Sequence, residues 1–250
     1  DTWLNPRVGT DAALGLAMAQ VLLAEKLHNV EYVREQTDLP ILVRLDTGRF
    51  LNEADLLEAG RRELVYVWDA KAGAPVAAPG APTNTDHPRL DGGALAPPIE
   101  GRFTVKLRDG SETVVVPVGA LLREHLEPWS FTATAEVTGL APEQIEKFAE
   151  GFARAKRPMV LSSWGSNRFL HSDQMNRAKI LCLSLKGAVG RKGSGYHSTG
   201  WIETGGLGIG SHTGMRGRLE LFMHLDMSTL FDLAVERVRG RISTQRAVWD

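Results

Sequence analysis

One cysteine, Cys182, stands alone in 250 residues. It has no partner for an internal disulfide, and no set of thiolates exists for an iron–sulfur cluster or a structural zinc. Its neighbours Ile180, Leu181 and Leu183 mark it as a small core side chain rather than a nucleophile. Excess charge of one sign is also missing. Lys and Arg total 29 against 30 for Asp and Glu, a net charge of -1. That balance argues against a nucleic-acid partner or an anionic membrane surface. No apolar run reaches the roughly 18–20 residues of a membrane span. The most apolar stretch, residues 12–27, is broken by Gln20, Glu25 and Lys26. The seven histidines are scattered, with no close-spaced metal pair and no Ser-His-acid trio. What is present is ordinary for a globular chain with a real core, 43% apolar and 24% charged. The length suits one large domain or two small ones.

Three composition zones divide the chain. Residues 1–70 read as the helix-rich part of an α/β domain. Thr10 or Asp11 suits an N-cap, and residues 12–27 are rich in Ala, Leu and Met, strong helix formers. A second short helix is expected over residues 31–37, and a strand over residues 41–45 after Pro40. Residues 52–63 are ambiguous, helical in composition but holding Gly60. Residues 71–130 read as a loop and β-hairpin insertion. Prolines and glycines break every apolar period between residues 71 and 98, which predicts a long surface loop. Two β-rich runs around Asp109-Gly110 then predict a hairpin. Residues 131–250 form the third zone. Pro142 at N1, Glu143 in the first turn and an apolar face of Ile145, Phe148, Ala149 and Phe152 predict a helix that Pro158 stops. Met159-Val160-Leu161 is expected as a buried strand, and residues 172–186 as a helix ending at Gly187. This helix–strand–loop–helix order is α/β grammar with parallel sheet layers flanked by helices, Rossmann-like in outline. Ligands in such sheets lie beyond the C-terminal strand ends, here residues 162–172.

Four stretches carry candidate chemistry. Gly9-Thr10-Asp11 opens a helix whose N-terminal N–H groups can meet an anion, and the Asp11 carboxylate can accept the amino and ring N–H groups of guanine. A plain capped helix is the alternative. Trp164-Gly165-Ser166-Asn167-Arg168, with His171 and Ser172, lies where an α/β crevice is expected. Arg168 suits a phosphate, and Asn167 and His171 a heterocycle. The same stretch also reads as a structural loop capped by Ser172. Gly187, Gly190, Gly193 and Gly195, with Arg191 and Lys192, suggest tight turns near an anion or a solvated connector. It is no P-loop, since Gly follows Lys192. Gly205-Gly206-Leu207-Gly208-Ile209-Gly210 matches a dinucleotide fingerprint only loosely.

Taken together and in this order, the segments resemble a known family. Trp3-Leu4-Asn5-Pro6-Arg7-Val8-Gly9-Thr10-Asp11-Ala12-Ala13-Leu14 looks like the helix start of molybdopterin guanine dinucleotide oxidoreductases, the dimethyl sulfoxide reductase family. Glu31-Tyr32-Val33 through Thr37-Asp38-Leu39-Pro40-Ile41-Leu42-Val43 is similar to its nitrate-reductase-like type II branch. Trp164-Gly165-Ser166-Asn167 with His171-Ser172-Asp173, then residues 187–195, resembles that branch's second pterin-side stretch. The resemblance implies a molybdenum bis(molybdopterin guanine dinucleotide) cofactor and oxygen-atom transfer or hydroxylation coupled to two-electron transfer. It implies a small-molecule or oxyanion substrate and an iron–sulfur electron-transfer partner subunit. Gly9, Thr10 and Asp11 would line one guanosine site. Trp164, Gly165, Asn167, Arg168, His171, Ser172, Gly193 and Gly195 would approach the pterin or phosphates. The family's molybdenum ligand and its cysteine motif for an iron–sulfur cluster lie upstream of the Gly-Thr-Asp helix start. The chain, opening at Asp1 without Met and closing at Asp250, is therefore expected to be an internal piece of a larger multidomain subunit, and no catalytic or metal-ligating residue is assigned within it. The compartment expected for the whole enzyme is the cytoplasmic face of the membrane or the periplasm. Two other classes remain open on the residues alone: a self-contained α/β nucleotide-binding module, and a non-catalytic structural domain.

Overall fold

The structure, a computed structural model, describes residues 2–79, 95–162 and 169–197. The described residues of the first compact unit run to Val160 and from residue 169 to Tyr196. Of the second unit, residues 161–164 and 197–250, only Leu161, Ser162 and His197 are described.

Helix α1 (Asp11–Ala24) is the hub of the first unit. Its apolar residues are not confined to a stripe. Ala17, Ala19, Leu22 and Leu23 are all buried, so the helix is covered on several sides, as an all-round apolar helix must be. Around it pack α4 (Val118–Leu126), α5 (Phe131–Thr138), α6 (Pro142–Arg154) and α7 (Ser172–Leu185). The expected run to residue 27 stops at Ala24 because Lys26 turns left-handed (φ 57°). Leu27 N–H then reaches the Leu22 carbonyl at 2.9 Å and Lys26 N–H the Leu23 carbonyl at 3.2 Å, the paired closing bonds of a Schellman end. Helix α7 ends in the same way at Gly187 (φ 60°), with Ala188 N–H on Leu183 at 2.8 Å. Helix α2 (Val30–Gln36) starts where Asn29 Oδ1 accepts the Tyr32 N–H at 2.9 Å.

The described strands form three small sheets. β1 (Leu42–Arg44), β5 (Glu112–Pro117) and β4 (Phe103–Lys106) pair antiparallel in the order β1-β5-β4. The Asp109-Gly110 hairpin forms as predicted: Gly110 is left-handed (φ 86°), and Asp109 Oδ1 accepts the Ser111 N–H at 2.9 Å. The ambiguous residues 52–63 hold one short helix, α3 (Glu53–Leu56). β2 (Tyr66–Asp69) and β3 (Ala74–Ala77) form a second antiparallel hairpin. β3 corrects the expected surface loop over residues 71–98. Pro75 lies within it, opposite Trp68, and a proline in a strand hid the pairing. Residues 80–94 of that stretch lie outside the described residues. β6 (Met159–Leu161) and β7 (Gly195–His197) make the third sheet. Gly195 N–H bonds the Pro158 carbonyl and Ser162 N–H the His197 carbonyl, so the two strands ascend together, in parallel. β6 is not the buried strand expected, since Met159 is 47% and Leu161 77% exposed. Apolarity alone does not report burial for so short a run. The class is mixed α/β, and among the described residues the parallel pairing is that of β6 with β7.

Three buried clusters result among the described residues. The larger helical one centres on Leu22, Leu23, Val33, Leu126, Cys182 and Leu185, and a second helical one on Ala17, Leu140 and Ile145. The β one holds Leu42, Leu51, Val105 and Val115, with Trp68 stacked on Phe103 at 4.1 Å between ring centroids.

Candidate functional site

Helices α1 and α7 lie against each other at unusually close range. A Cβ added to Gly15 would sit 2.8 Å from Ala178 Cβ, so only glycine permits this approach. The Cys182 thiol donates to the Gly15 carbonyl at 3.1 Å. Burial pushes that thiol's pKa up to about 12, so it is an inert core group, as its neighbours in sequence suggested. The contacts also give direction. Gly9 stands beside Phe169, Gly15 beside Ala178, and Asn29 N–H bonds the Leu185 carbonyl at 2.7 Å. Both chains ascend together, so the helices are parallel and their N-termini share one end of the unit. Two helix dipoles there point their positive ends the same way.

The first approach to that end is built by Arg7, Gly9 and Thr10. Gly9 is exposed and left-handed (φ 84°) and turns the chain into α1. Thr10 occupies the N-cap, but its hydroxyl donates to the Arg7 carbonyl at 2.6 Å instead of capping the helix. No side chain caps α1, although its Ala13 N–H bonds the Thr10 carbonyl at 3.0 Å. Asp11 is half-buried in the first turn. The second approach runs through Phe169 and Leu170 to His171, the N-cap of α7, which is exposed, left-handed (φ 61°) and makes no cap bond. Ser172 is the first residue of α7, not its cap; its N–H bonds the Phe169 carbonyl at 3.1 Å. This end also exposes apolar surface, Val8 next to Gly9 and Leu170 next to Phe169, at 76% and 84%.

The structure therefore brings together Gly9, Thr10 and Asp11 with His171 and Ser172. It does not bring Gly193 and Gly195 there. Both are left-handed (φ 74° and 107°), but they follow the opposite end of α7, where Gly195 N–H and Ser194 Oγ both bond the Pro158 carbonyl ahead of β6. Trp164, Gly165, Asn167 and Arg168 lie outside the described residues, as does the Gly205–Gly210 stretch. Among the described residues no three His, Cys, Asp or Glu side chains converge on a metal site. Two features escaped sequence reasoning. Arg7 anchors the first approach through its side chain, and Phe169 joins the two approaches. Arg7 lies within the stretch of residues 3–14 that carries the resemblance, but nothing there marks its side chain, and Phe169 carries no motif signal.

No profile of a known protein family matches the chain. Individual relatives do. The perchlorate reductase subunit alpha of Dechloromonas aromatica is 36% identical over 217 residues, covering 79% of this chain and 23% of that protein. The chlorate reductase subunit alpha of Ideonella dechloratans is 35% identical over 220 residues, 87% of this chain and 23% of that protein. The respiratory nitrate reductase subunit alpha of Haloferax mediterranei is 34% identical over 203 residues, 78% of this chain and 20% of that protein. The chain thus spans less than a quarter of the length of these relatives. With that similarity running through most of its residues, the chain belongs to the molybdenum oxidoreductase alpha-subunit family, the dimethyl sulfoxide reductase family that its motifs resemble.

Proposed function

We propose that this chain is a cofactor-cradling segment of a molybdenum oxidoreductase catalytic subunit of the nitrate-reductase-like branch. Its ligand is the bis(molybdopterin guanine dinucleotide) form of the cofactor. The observation that carries this reading is the parallel packing of α1 and α7, which gathers two uncapped helix N-termini beside Gly9 and His171. Such an end suits a ligand that is part anion and part heterocycle. The donor set fits. Asp11 makes the α1 terminus a poor seat for a phosphate, because a carboxylate repels it, and a good one for a base bearing two N–H donors. Its carboxylate would accept from the amino and ring N–H groups of guanine, while Gly9 lets the base approach the backbone. Phosphate oxygens would be paired by Arg168, which lies outside the described residues. When bound, the cofactor supplies oxygen-atom transfer coupled to two-electron transfer, and the protein supplies binding, orientation and exclusion of water. The relatives named as perchlorate, chlorate and nitrate reductases favour a small oxyanion as substrate. Their designation as alpha subunits favours a partner subunit that carries electrons, with iron–sulfur clusters as the matching carriers.

Titration of the 250-residue chain with GDP and ADP tests the base assignment. GDP should bind more tightly, and Asp11→Asn should weaken GDP by roughly tenfold, since one partner of a charged hydrogen-bond pair is lost. Equal binding of GDP and ADP, or an Asp11→Asn chain that still prefers GDP, would sink it. Molybdenum and pterin analysis of the complete subunit tests the cofactor.

A further inference from the structure

We infer that Arg7 is a positioning residue, holding the Gly9-Thr10-Asp11 cradle in register by clamping it to the C-terminal end of α5. The inference rests on the reading of the α1 terminus as a ligand cradle. Arg7 reaches in both directions. Its Nη1 donates to the Glu136 carbonyl at 2.7 Å and to the Val137 carbonyl at 3.3 Å, and its own N–H bonds the Thr138 carbonyl at 2.8 Å. These are the last carbonyls of α5, which have no partner within the helix, and a guanidinium there also meets the negative end of the helix dipole. On its other side the Arg7 carbonyl accepts both the Thr10 N–H at 3.1 Å and the Thr10 hydroxyl at 2.6 Å. One residue therefore ties the cradle's first helical cap to a helix distant in sequence.

The α5 side of the clamp is itself well held. Thr138 is fully buried, and its hydroxyl donates to the Thr134 carbonyl at 2.7 Å. Gly139 closes α5 in the left-handed conformation (φ 75°), directly beneath the guanidinium. A Cβ there would lie 3.2 Å from Arg7 Nε. Gly139 thus leaves room for Arg7; a methyl at this position would press the guanidinium by a few tenths of an ångström and, at φ 75°, strain the α5 cap, without changing any charge. That separates positioning from direct electrostatic attraction of a ligand.

The test compares Arg7→Gln, Arg7→Lys and Gly139→Ala in the 250-residue chain, using GDP affinity and hydrogen exchange at the Thr10 and Ala13 amides. Arg7→Gln and Gly139→Ala should both speed exchange at these amides and weaken GDP to a similar degree, by roughly tenfold. Arg7→Lys keeps the charge but loses the planar fork, and should recover only part of the affinity. Two outcomes overturn the inference. One is a Gly139→Ala chain with unchanged GDP affinity beside a weakened Arg7→Gln chain fully rescued by Lys, which is a direct charge effect. The other is faster exchange in both variants with GDP binding intact. A wild-type chain that binds no GDP refutes the cradle reading instead, and exchange alone then decides the clamp: unchanged exchange in Arg7→Gln overturns it.

Discussion

Cys182 shows what a single residue in the helical core does to pH dependence. Its thiol is 1% exposed and bonded to the Gly15 carbonyl, and burial raises its pKa from 9.0 to about 12. The folded chain therefore keeps the proton between those values while the unfolded chain loses it. Ionisation favours the unfolded state, so stability is unaffected below pH 9 and falls as pH rises through the window. The slope contributed by one such group reaches about 1.4 kcal/mol per pH unit. Urea titrations at pH 8 and pH 10.5 should show a steeper loss for the wild-type chain than for Cys182→Ala. Parallel losses in the two would show that the thiol ionises freely in the fold. Sequence reasoning reached this residue correctly because a lone cysteine among apolar residues is most often a small core side chain. It could not reach Arg7, whose role lies in three carbonyls about 130 positions away.

At the scale of elements, legibility followed the strength of local signals. α6 was readable from Pro142, Glu143 and its apolar face, α7 from the Gly187 stop, and the β4–β5 hairpin from Asp109-Gly110. α5 escaped notice although Ser130 caps it at 3.2 Å to the Ala133 N–H and Gly139 ends it. Its Thr-rich body lowers helix propensity, and contact with α1 overrides that. The β2–β3 pairing was hidden by Pro75, and the exposure of β6 by its apolar residues. The parallel contact of α1 with α7 is the element-scale feature that matters most for the site, and a small residue at position 15 is its only sequence trace. Gly15→Ala brings a methyl 2.8 Å from Ala178 Cβ and 3.3 Å from its backbone carbon, with helix backbone on both sides and little room to yield. Overpacking of this kind costs about 1–3 kcal/mol, more than the helix-propensity gain of roughly 1 kcal/mol for replacing glycine. Chemical denaturation should therefore show net destabilisation and weaker GDP binding together. A Gly15→Ala chain more stable than wild type would mean that the helices separate without consequence.

For the first unit as a whole, the decisive fact is that its β cluster is separate from the two helical clusters, with few links between them among the described residues. Backbone bonds from Val118 to Ile41 and from Gly119 to Leu39, each 2.9 Å, connect the β sheet to the helices. Arg123 ties α4 to α1, donating to the Leu23 carbonyl at 2.9 Å, and pairs with Glu100 ahead of β4. Every described candidate residue for ligand binding at the shared helix end belongs to the helical side. Leu51, fully buried in the β core, gives a way to unsettle one side alone. Leu51→Ala should cost about 2–5 kcal/mol by opening a cavity. Regions with their own core and few connections open as separate cooperative units. Hydrogen exchange should therefore rise across β1, β4 and β5 while α1 and α7 stay protected, and GDP affinity should stay within about twofold of wild type, an energy difference below roughly 0.5 kcal/mol. The contrast with Gly15→Ala is the informative part. If Leu51→Ala loosens α1 and α7 as much as the sheet, the β and helical clusters fold as one and the cradle depends on both. If it spares them, the β region is a satellite that the ligand-facing helices carry without relying on it.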